Sequence, residues 1–597
     1  MWLAVNRYSQ PPGAIDSLLI QQHKSKTRER GSIRKLEYFP AKTMALLSAV
    51  SSLLPFSYGA TRLSSKASLA STTSGFNLSS LRNSPRNSLR LYVSRAIASN
   101  GGYAEVSENE TPPPRTYTWP DNKRPRVCIL GGGFGGLYTA LRLESLVWPD
   151  DKKPQVMVMV VLVDQSERFV FKPMLYELLS GEVDVWEIAP RFSDLLTNTG
   201  IQFLRDRVKT LLPCDGLGVN GSQSSVTGGT VLLESGFNIE YDWYHVLHNP
   251  DSRLVLALGA EPKLDLVPGA MEFALPFYTL NDAIDTLHSK AWLLQCHWQR
   301  VNEKLSKLER RNFKNGSAIK VAVVGCGYGG VELAATISER LQDRGTVQAI
   351  NVSKSILTSA PDGNREAAMK VLTSRKVQLL LGYLVRCIKR ASGSEEEDGG
   401  GGYVLELEPT EKGVESQVIE ADMVLWTVGT KPLLTELEQP SGGPSVLPLN
   451  VRGQAETDET LRVKGHPRIF ALGDSSSLRD SNGKLLPTTA QVAFQEADFT
   501  GWNIWAAINN RPLLPFRFQN LGEMMTLGRY DAAISPSFIE GLTLDGPVGH
   551  AARKLAYLIR LPTDEHRFKV GVSWFAKSAV ESVALLQSNL AKVFSSS

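Results

Sequence analysis

Two stretches of this chain, about two hundred residues apart, carry the same spacing of glycines. The first is Arg126-Val-Cys-Ile-Leu130 followed by Gly131-Gly-Gly133-Phe-Gly-Gly136. The second is Lys320-Val-Ala-Val-Val324 followed by Gly325-Cys-Gly327-Tyr-Gly-Gly330. Each reads as a buried parallel strand, then G-x-G-x-x-G, then a helical pattern. Gly131 and Gly325 allow the tight turn, Gly133 and Gly327 let backbone approach a diphosphate, and Gly136 and Gly330 let helix pack on strand. The diphosphate would rest on the free N–H groups and the positive dipole end of the helix. One such loop is weak evidence. Two in strand–loop–helix context imply two dinucleotides on one protein, an arrangement suited to passing electrons between them.

The elements around these loops follow a doubly wound pattern. The strand Val156 to Val163 ends at Asp164, where such folds place the acid that binds a ribose hydroxyl. Phe169-Val-Phe-Lys-Pro-Met-Leu175 mixes aromatics with a proline. Three strands close on glycine: Leu256-Ala-Leu-Gly259, Trp426-Thr-Val-Gly429 and Ile469-Phe-Ala-Leu-Gly473, the last followed by Asp474. They punctuate one nucleotide domain with a second nested inside it. Tyr244 to Arg253 reads as an insertion into a core strand. Glu395 to Gly402 reads as a solvated hairpin tip.

The 42% hydrophobic and 21% charged residues of this 597-residue chain suit a globular protein of two or three domains. No apolar run reaches the roughly 18–20 residues of a membrane helix, so any membrane association is expected to be peripheral. The net charge of +4 is unevenly spread: residues 1–104 hold fourteen Lys/Arg against three acids, leaving the body at −7. An acidic body gives no reason to expect a nucleic-acid partner. From Met44, the expected start, to Ala104 there is no acid, and the Ser- and Arg-rich composition is that of an organelle transit peptide. The Ser richness points to a chloroplast, with mitochondrion as the rival or second address. The five cysteines, Cys128, Cys214, Cys296, Cys326 and Cys387, form no C-x-x-C pair. Cys128 and Cys326 are expected to be packing residues.

The ordered set of motifs resembles the type II NAD(P)H:quinone oxidoreductases over residues 125–597. It looks most like their plant C class, which lacks an inserted EF-hand; no D-x-[DN]-x-[DN]-G loop occurs. The resemblance implies an α/β fold of the pyridine nucleotide-disulfide oxidoreductase type. Two Rossmann-like domains, for FAD and NAD(P)H, are expected with the second nested in the first, plus a C-terminal membrane-surface segment. The expected order is leader 1–104, linker 105–123, FAD domain 124–282, helical connector 283–317, NAD(P)H domain 318–435, FAD domain again 436–512, and C-terminal segment 513–597.

By position, Gly131, Gly133 and Gly136 would hold the FAD diphosphate, and Asp164 the adenosine ribose. Gly259, Gly429 and Gly473 would close strands against the cofactors. Asp474 would bind the ribityl chain, and Lys172 and Pro173 would lie close to the isoalloxazine. Gly325, Gly327 and Gly330 would hold the NADPH or NADH diphosphate, with Glu332 near the nicotinamide. An NADH-selective site would place an acid where Asn351 or Ser353 stands. Lys354 is near instead, which leans the reading towards NADPH. Thr488-Thr-Ala-Gln-Val-Ala-Phe-Gln-Glu496 resembles the family's quinone segment, with Gln491 and Gln495 on one helix face. No metal is expected.

The resemblance implies two-electron transfer from NAD(P)H through FAD to a prenylated quinone: plastoquinone, a phylloquinone-type or demethyl naphthoquinone, or ubiquinone. The tail, with Arg553-Lys-Leu-Ala-Tyr-Leu-Ile-Arg560 and Trp574-Phe-Ala-Lys577, reads as an interfacial helix. It would dock on a membrane or lipid-body surface such as a plastoglobule, or instead form homodimer contacts or part of the core. The rivals are a disulfide reductase or sulfide:quinone oxidoreductase, which need reactive cysteines, and a flavin-bound lipid-body scaffold.

Overall fold

A computed structural model describes residues 115–121, 124–149, 152–160, 167–212, 229–240, 252–278, 297–391, 402–437 and 447–595. β1 (Arg126–Leu130) enters α1 (Phe134–Ser145) through the first Gly-rich loop, and β2 (Gln155–Val160), α2 (Leu175–Ser180), β3 (Gln202–Arg205) and β4 (Arg253–Leu256) follow. Every residue of β1 and β4 is buried, as a parallel sheet covered on both faces requires. Asp164 lies outside the described residues.

The chain then leaves for a second unit: β5 (Ala274–Pro276), α3 (His297–Asn315), β6 (Ile319–Val324), α4 (Tyr328–Leu341), β7 (Gly345–Asn351), α5 (Asp362–Ser374), β8 (Gln378–Leu381) and β9 (Met423–Trp426). It returns to the first with β10 (Arg462–Val463), β11 (His466–Ala471) and α6 (Ala490–Ile508). The first sheet has the order β10-β11-β4-β1-β2-β3 and the second β5-β9-β6-β7-β8. Only β10 is antiparallel among these pairings. The outgoing Ala260–Pro262 and returning Thr430–Pro432 pair antiparallel, so the two crossings brace one another.

The C-terminal segment supplies an antiparallel sheet of β12 (Gly522–Thr526), β13 (Ala532–Pro536) and β14 (Leu544–Asp545). It ends in α7 (Gly546–Arg560) and α8 (Asp564–Ser595). No helix among the described residues is long and apolar enough to cross a membrane.

The structure corrects several borders expected from the sequence. β5 pairs with β9, so the second domain begins before residue 282. α3 lies against β5 and β6 and covers that second sheet rather than merely connecting. The linker expected over 105–123 contributes a strand at Arg115–Thr116, parallel to Phe237–Glu240, because that sheet edge needs a partner. Within the same linker Trp119 is buried and donates its indole N–H to the Glu240 carbonyl at 3.0 Å. Arg253 pairs with Val127 within the core sheet, so it belongs to β4 and not to the insertion expected up to it.

Candidate functional site

The six loop glycines divide into two duties. At Gly131 (φ +114°) an added Cβ would stand 2.1 Å from the Ala257 carbonyl oxygen, and at Gly136 1.7 Å from that of Gly131. In the second loop a Cβ at Gly325 (φ +102°) would meet Thr427 Oγ1 at 2.7 Å, and one at Gly330 the Gly325 oxygen at 1.9 Å. Gly136 and Gly330 are fixed by packing within the turn, and Gly131 and Gly325 by the neighbouring strand ends at Ala257 and Thr427. Gly133 and Gly327 differ, with nothing within 4 Å of an added Cβ. Each is the N-cap of its helix, and neither cap position makes a side-chain hydrogen bond. Uncapped N–H groups beside open space fit the diphosphates of two dinucleotides.

Gly259, Gly429 and Gly473 take left-handed φ values of +78°, +75° and +63° at the strand ends. The Gly473 N–H is held at 2.5 Å by the buried carboxylate of Glu496, on α6. Burial pushes the Glu496 carboxyl up to about 8. Beside it, Asp474 Oδ2 accepts the Tyr278 hydroxyl at 3.4 Å, and Lys172 Nζ sits 3.7 Å from the Tyr278 ring centroid. Burial raises the Asp474 carboxyl, while the Lys172 charge and the Tyr278 hydroxyl oppose the rise. Lys172 and Asp474, singled out separately from the sequence, thus share one cluster through a tyrosine that the sequence did not mark.

Glu332 lies one turn into α4, buried. Its Oε1 accepts the Thr526 backbone N–H at 3.0 Å, and it is hydrogen-bonded to the Tyr176 hydroxyl. Burial pushes its carboxyl up to about 8, against the opposing pull of Arg553 and the Thr526 N–H. Three parts of the chain therefore converge on it: α2 from the first domain, α4 from the second, and β12 with α7 from the tail.

Of the interfacial and core roles open to the segment around Arg553, the structure gives this residue the second. It is fully buried, paired with the buried Glu177 and donating to the Pro173 carbonyl at 2.8 Å. Its guanidinium stacks 4.7 Å from the Tyr557 ring centroid. The reason is charge pairing: α2 buries a carboxylate, and α7 brings a cation to it. Pro173 thereby ties the turn at Lys172–Met174 to the tail.

Gln491 and Gln495 are brought to one face of α6, but their amides meet backbone. Gln491 donates to Gly522 O and accepts from Leu521 N, both at 3.0 Å; Gln495 donates to Gln519 O at 2.8 Å and accepts from Gln519 N at 2.9 Å. They act as rungs that hold the strand entering β12, because an amide offers the same donor–acceptor pair as a peptide group. Each amide keeps a second N–H beyond this positioning contact.

At the end of β7, Asn351 accepts the Cys326 N–H at 3.3 Å and donates to the Ser355 carbonyl at 2.9 Å, so it braces the Gly-rich loop. Ser353 and Lys354 are exposed. Burial pushes the Cys326 thiol up to about 12 and raises Cys128 further, so neither is a thiolate at neutral pH. Between α1, α6, α7 and residues 169–171 lies an aromatic wall. Phe494 sits 4.7 Å from Phe134 and 4.4 Å from Tyr138, and Phe171 sits 5.3 Å from Tyr557.

The family model of pyridine nucleotide-disulphide oxidoreductases matches residues 125–497. The chain is 82% identical over 554 residues to the alternative NAD(P)H-ubiquinone oxidoreductase C1, chloroplastic/mitochondrial, of Arabidopsis thaliana, covering 93% of this chain and 100% of that one. It is 38% identical over 469 residues to the demethylphylloquinone reductase of Synechocystis, covering 76% and 96%. Its fold is similar to that of NDH2 from Plasmodium falciparum solved with NADH, with a TM-score of 0.57 at 15% identity, covering 76% and 98%. Paired Gly-rich loops, nested sheets and these relatives agree: the chain belongs to the pyridine nucleotide-disulphide oxidoreductases, in the branch of the type II NAD(P)H:quinone oxidoreductases.

Proposed function

We propose that this chain is a non-proton-pumping, FAD-dependent oxidoreductase that transfers two electrons from NAD(P)H to a prenylated quinone. The observation that carries this reading is Glu332: a buried carboxyl whose proton is held to about pH 8, where both nucleotide domains and the tail meet. FAD, when bound, supplies the two-electron relay between nicotinamide and quinone. Gly131, Gly133 and Gly136 would hold it at the diphosphate, and Lys172, Pro173 and Asp474 along the ribityl and ring. Gly325, Gly327 and Gly330 would hold the nicotinamide nucleotide. The balance is NAD(P)H plus quinone plus one proton giving NAD(P)⁺ and quinol. Glu332 holds that proton at its carboxyl, in reach of the Tyr176 hydroxyl. The aromatic wall of Phe134, Tyr138, Phe171 and Phe494 excludes water and suits a planar apolar acceptor.

The names of the relatives support a phylloquinone-type or benzoquinone acceptor and a chloroplast address with mitochondrion as second. Peripheral docking through α8 is supported by its two faces. His566, Val570, Ser573 and Lys577 turn inward, where Ser573 and Lys577 reach the buried Glu187 carboxylate at 2.6 and 2.9 Å. Phe568, Val572, Phe575 and Val580 lie on the exposed side. A thylakoid or lipid-body surface fits that stripe; a homodimer is the alternative occupant.

Anaerobic stopped-flow tests the reading. NADPH or NADH should bleach the flavin of the purified protein, and a prenylated benzo- or naphthoquinone should restore its colour. Bleaching that no quinone reverses would overturn the acceptor, and a protein without flavin would overturn the whole assignment.

A further inference from the structure

The strand that ends at Asn351 lacks the acid that marks NADH-selective sites, yet the fold delivers one from elsewhere. β7 and β8 run parallel with Asn351 beside Leu381. At Gly382, in the left-handed region with φ +79°, the chain turns into the hairpin strand Tyr383–Arg390. Its partner, Tyr403–Pro409, runs back with Tyr383 opposite Pro409, so the next residues must emerge beside the end of β7. Backbone bonds fix this placement. Gly382 donates to the Ser353 carbonyl at 3.3 Å, and Thr410 donates to the Gly382 carbonyl through its N–H at 2.8 Å and its hydroxyl at 3.0 Å. A Cβ at Gly382 would touch both Thr410 Oγ1 (3.6 Å) and Lys354 Cγ (3.9 Å). The following residue, Glu411, forms an ion pair with Lys354.

We propose that Glu411 is a nucleotide-selecting residue: its carboxylate occupies Lys354, the cation a ribose 2′-phosphate would use, and so favours NADH over NADPH. The inference rests on the second Gly-rich loop binding NAD(P)H. A 2′-phosphate carries about −1.5 to −2 charges near pH 7, by analogy with other phosphomonoesters, and must displace Glu411 from Lys354 while meeting its negative charge. A 2′-hydroxyl carries no such charge. Both side chains are more than half exposed, so the effect is several-fold and weakens in salt.

The test is calorimetric titration of the flavin-loaded full chain with NAD⁺ and NADP⁺, separately, at low and high salt. In Glu411→Gln, NADP⁺ affinity should rise about fivefold relative to NAD⁺ at low salt, with a smaller gain at high salt. In Lys354→Gln the same ratio should fall, and adding Glu411→Gln to it should restore less than Glu411→Gln gains in wild type, because the charge repulsion is relieved but the cation being competed for is gone. A NADP⁺/NAD⁺ ratio unchanged in Glu411→Gln, with both nucleotides binding, would overturn this inference and leave the oxidoreductase reading intact. Failure of wild type to bind either nucleotide would overturn both.

Discussion

Glu332 on α4 is bonded to the backbone N–H of Thr526 on β12, 194 residues further along the chain. The nicotinamide domain therefore does not place its acid alone: the C-terminal sheet holds one carboxyl oxygen, and Tyr176 from the first domain hydrogen-bonds to the same carboxyl. A buried carboxyl so held is aimed, and its proton is retained because burial disfavours the charge.

The first consequence is a pH dependence. With its carboxyl pushed up to about 8, Glu332 is protonated at neutral pH and loses its proton as pH rises through that value. Quinone turnover should fall above about pH 8, while flavin bleaching by NAD(P)H should change less. Glu332→Gln should lower quinone turnover by about 10²-fold and abolish the alkaline limb, with flavin content retained. An unchanged limb in the variant would assign the titration to another group.

Arg553 and Glu177 are buried together, and breaking such a pair costs more than the pair is worth. Arg553→Met should destabilise the protein by about 3–5 kcal/mol in urea unfolding. Combining it with Glu177→Gln should recover most of the loss, because no uncompensated charge remains. In the double variant the Glu332 limb should move modestly to higher pH, since Arg553 pulls that carboxyl down more than Glu177 pushes it up. A double variant as unstable as the single would place the loss in packing.

Much of this was legible along the chain, and the boundary is physical. The two loops were readable because part of their glycine demand is local: Gly131 and Gly325 need a positive φ, and a Cβ at Gly330 would strike the Gly325 oxygen. Lys172, Asp474 and Glu332 could be singled out by their place after strands and loops, but that Tyr278 links the first two and Thr526 holds the third could not. Arg553 was not readable: its partner lies 376 residues away, and the alternation of basic and apolar residues suited a surface helix equally well. One signal was present, since Gly549, Arg553 and Tyr557 recur every four residues on one helix face. Gln491 and Gln495 share one helix face as expected, but a helix pattern does not say that the backbone of residues 519–522 will meet them there. Glu411 was hidden because it arrives through hairpin register.

Glu496 should be the anchor of the Gly473–Asp474 turn. Glu496→Leu leaves the Gly473 N–H without its acceptor and should cost about 1–3 kcal/mol, read as faster flavin release on dilution or warming. Glu496→Gln keeps an acceptor oxygen and should retain flavin. The native carboxyl titrates at about 8, above the unfolded value of about 4.3. Its contribution is thus complete below about pH 4.3 and is lost as pH rises through 8. Glu496→Gln should flatten this part of the stability profile.

The two duties of the loop glycines separate in mutants. Gly330→Ala drives a Cβ to 1.9 Å from the Gly325 oxygen and should lower Tm by several degrees or prevent folding. Gly327→Ala meets nothing within 4 Å and should leave Tm unchanged. The methyl then stands where the diphosphate approaches, so nucleotide affinity should fall at least tenfold. Equal loss of Tm in both variants would contradict this division.

The stripe on α8 makes a last prediction. Its inward residues bond the helix to the first domain, so the exposed phenylalanines can be changed without releasing it. Phe568 and Phe575 are 73% and 79% exposed. Burying a phenylalanine side chain is worth about 1.5–3 kcal/mol, so Phe568→Ser with Phe575→Ser should weaken binding to galactolipid and anionic vesicles at least tenfold. Flavin content and bleaching by NAD(P)H should stay at wild-type levels, because neither residue touches the nucleotide loops. Lys577→Ala gives the complementary case: it removes the cation from Glu187, loosens the helix from the body, and should lower stability. Vesicle binding unaffected by the double change, together with a dimer that becomes a monomer, would assign the stripe to a second copy of the chain.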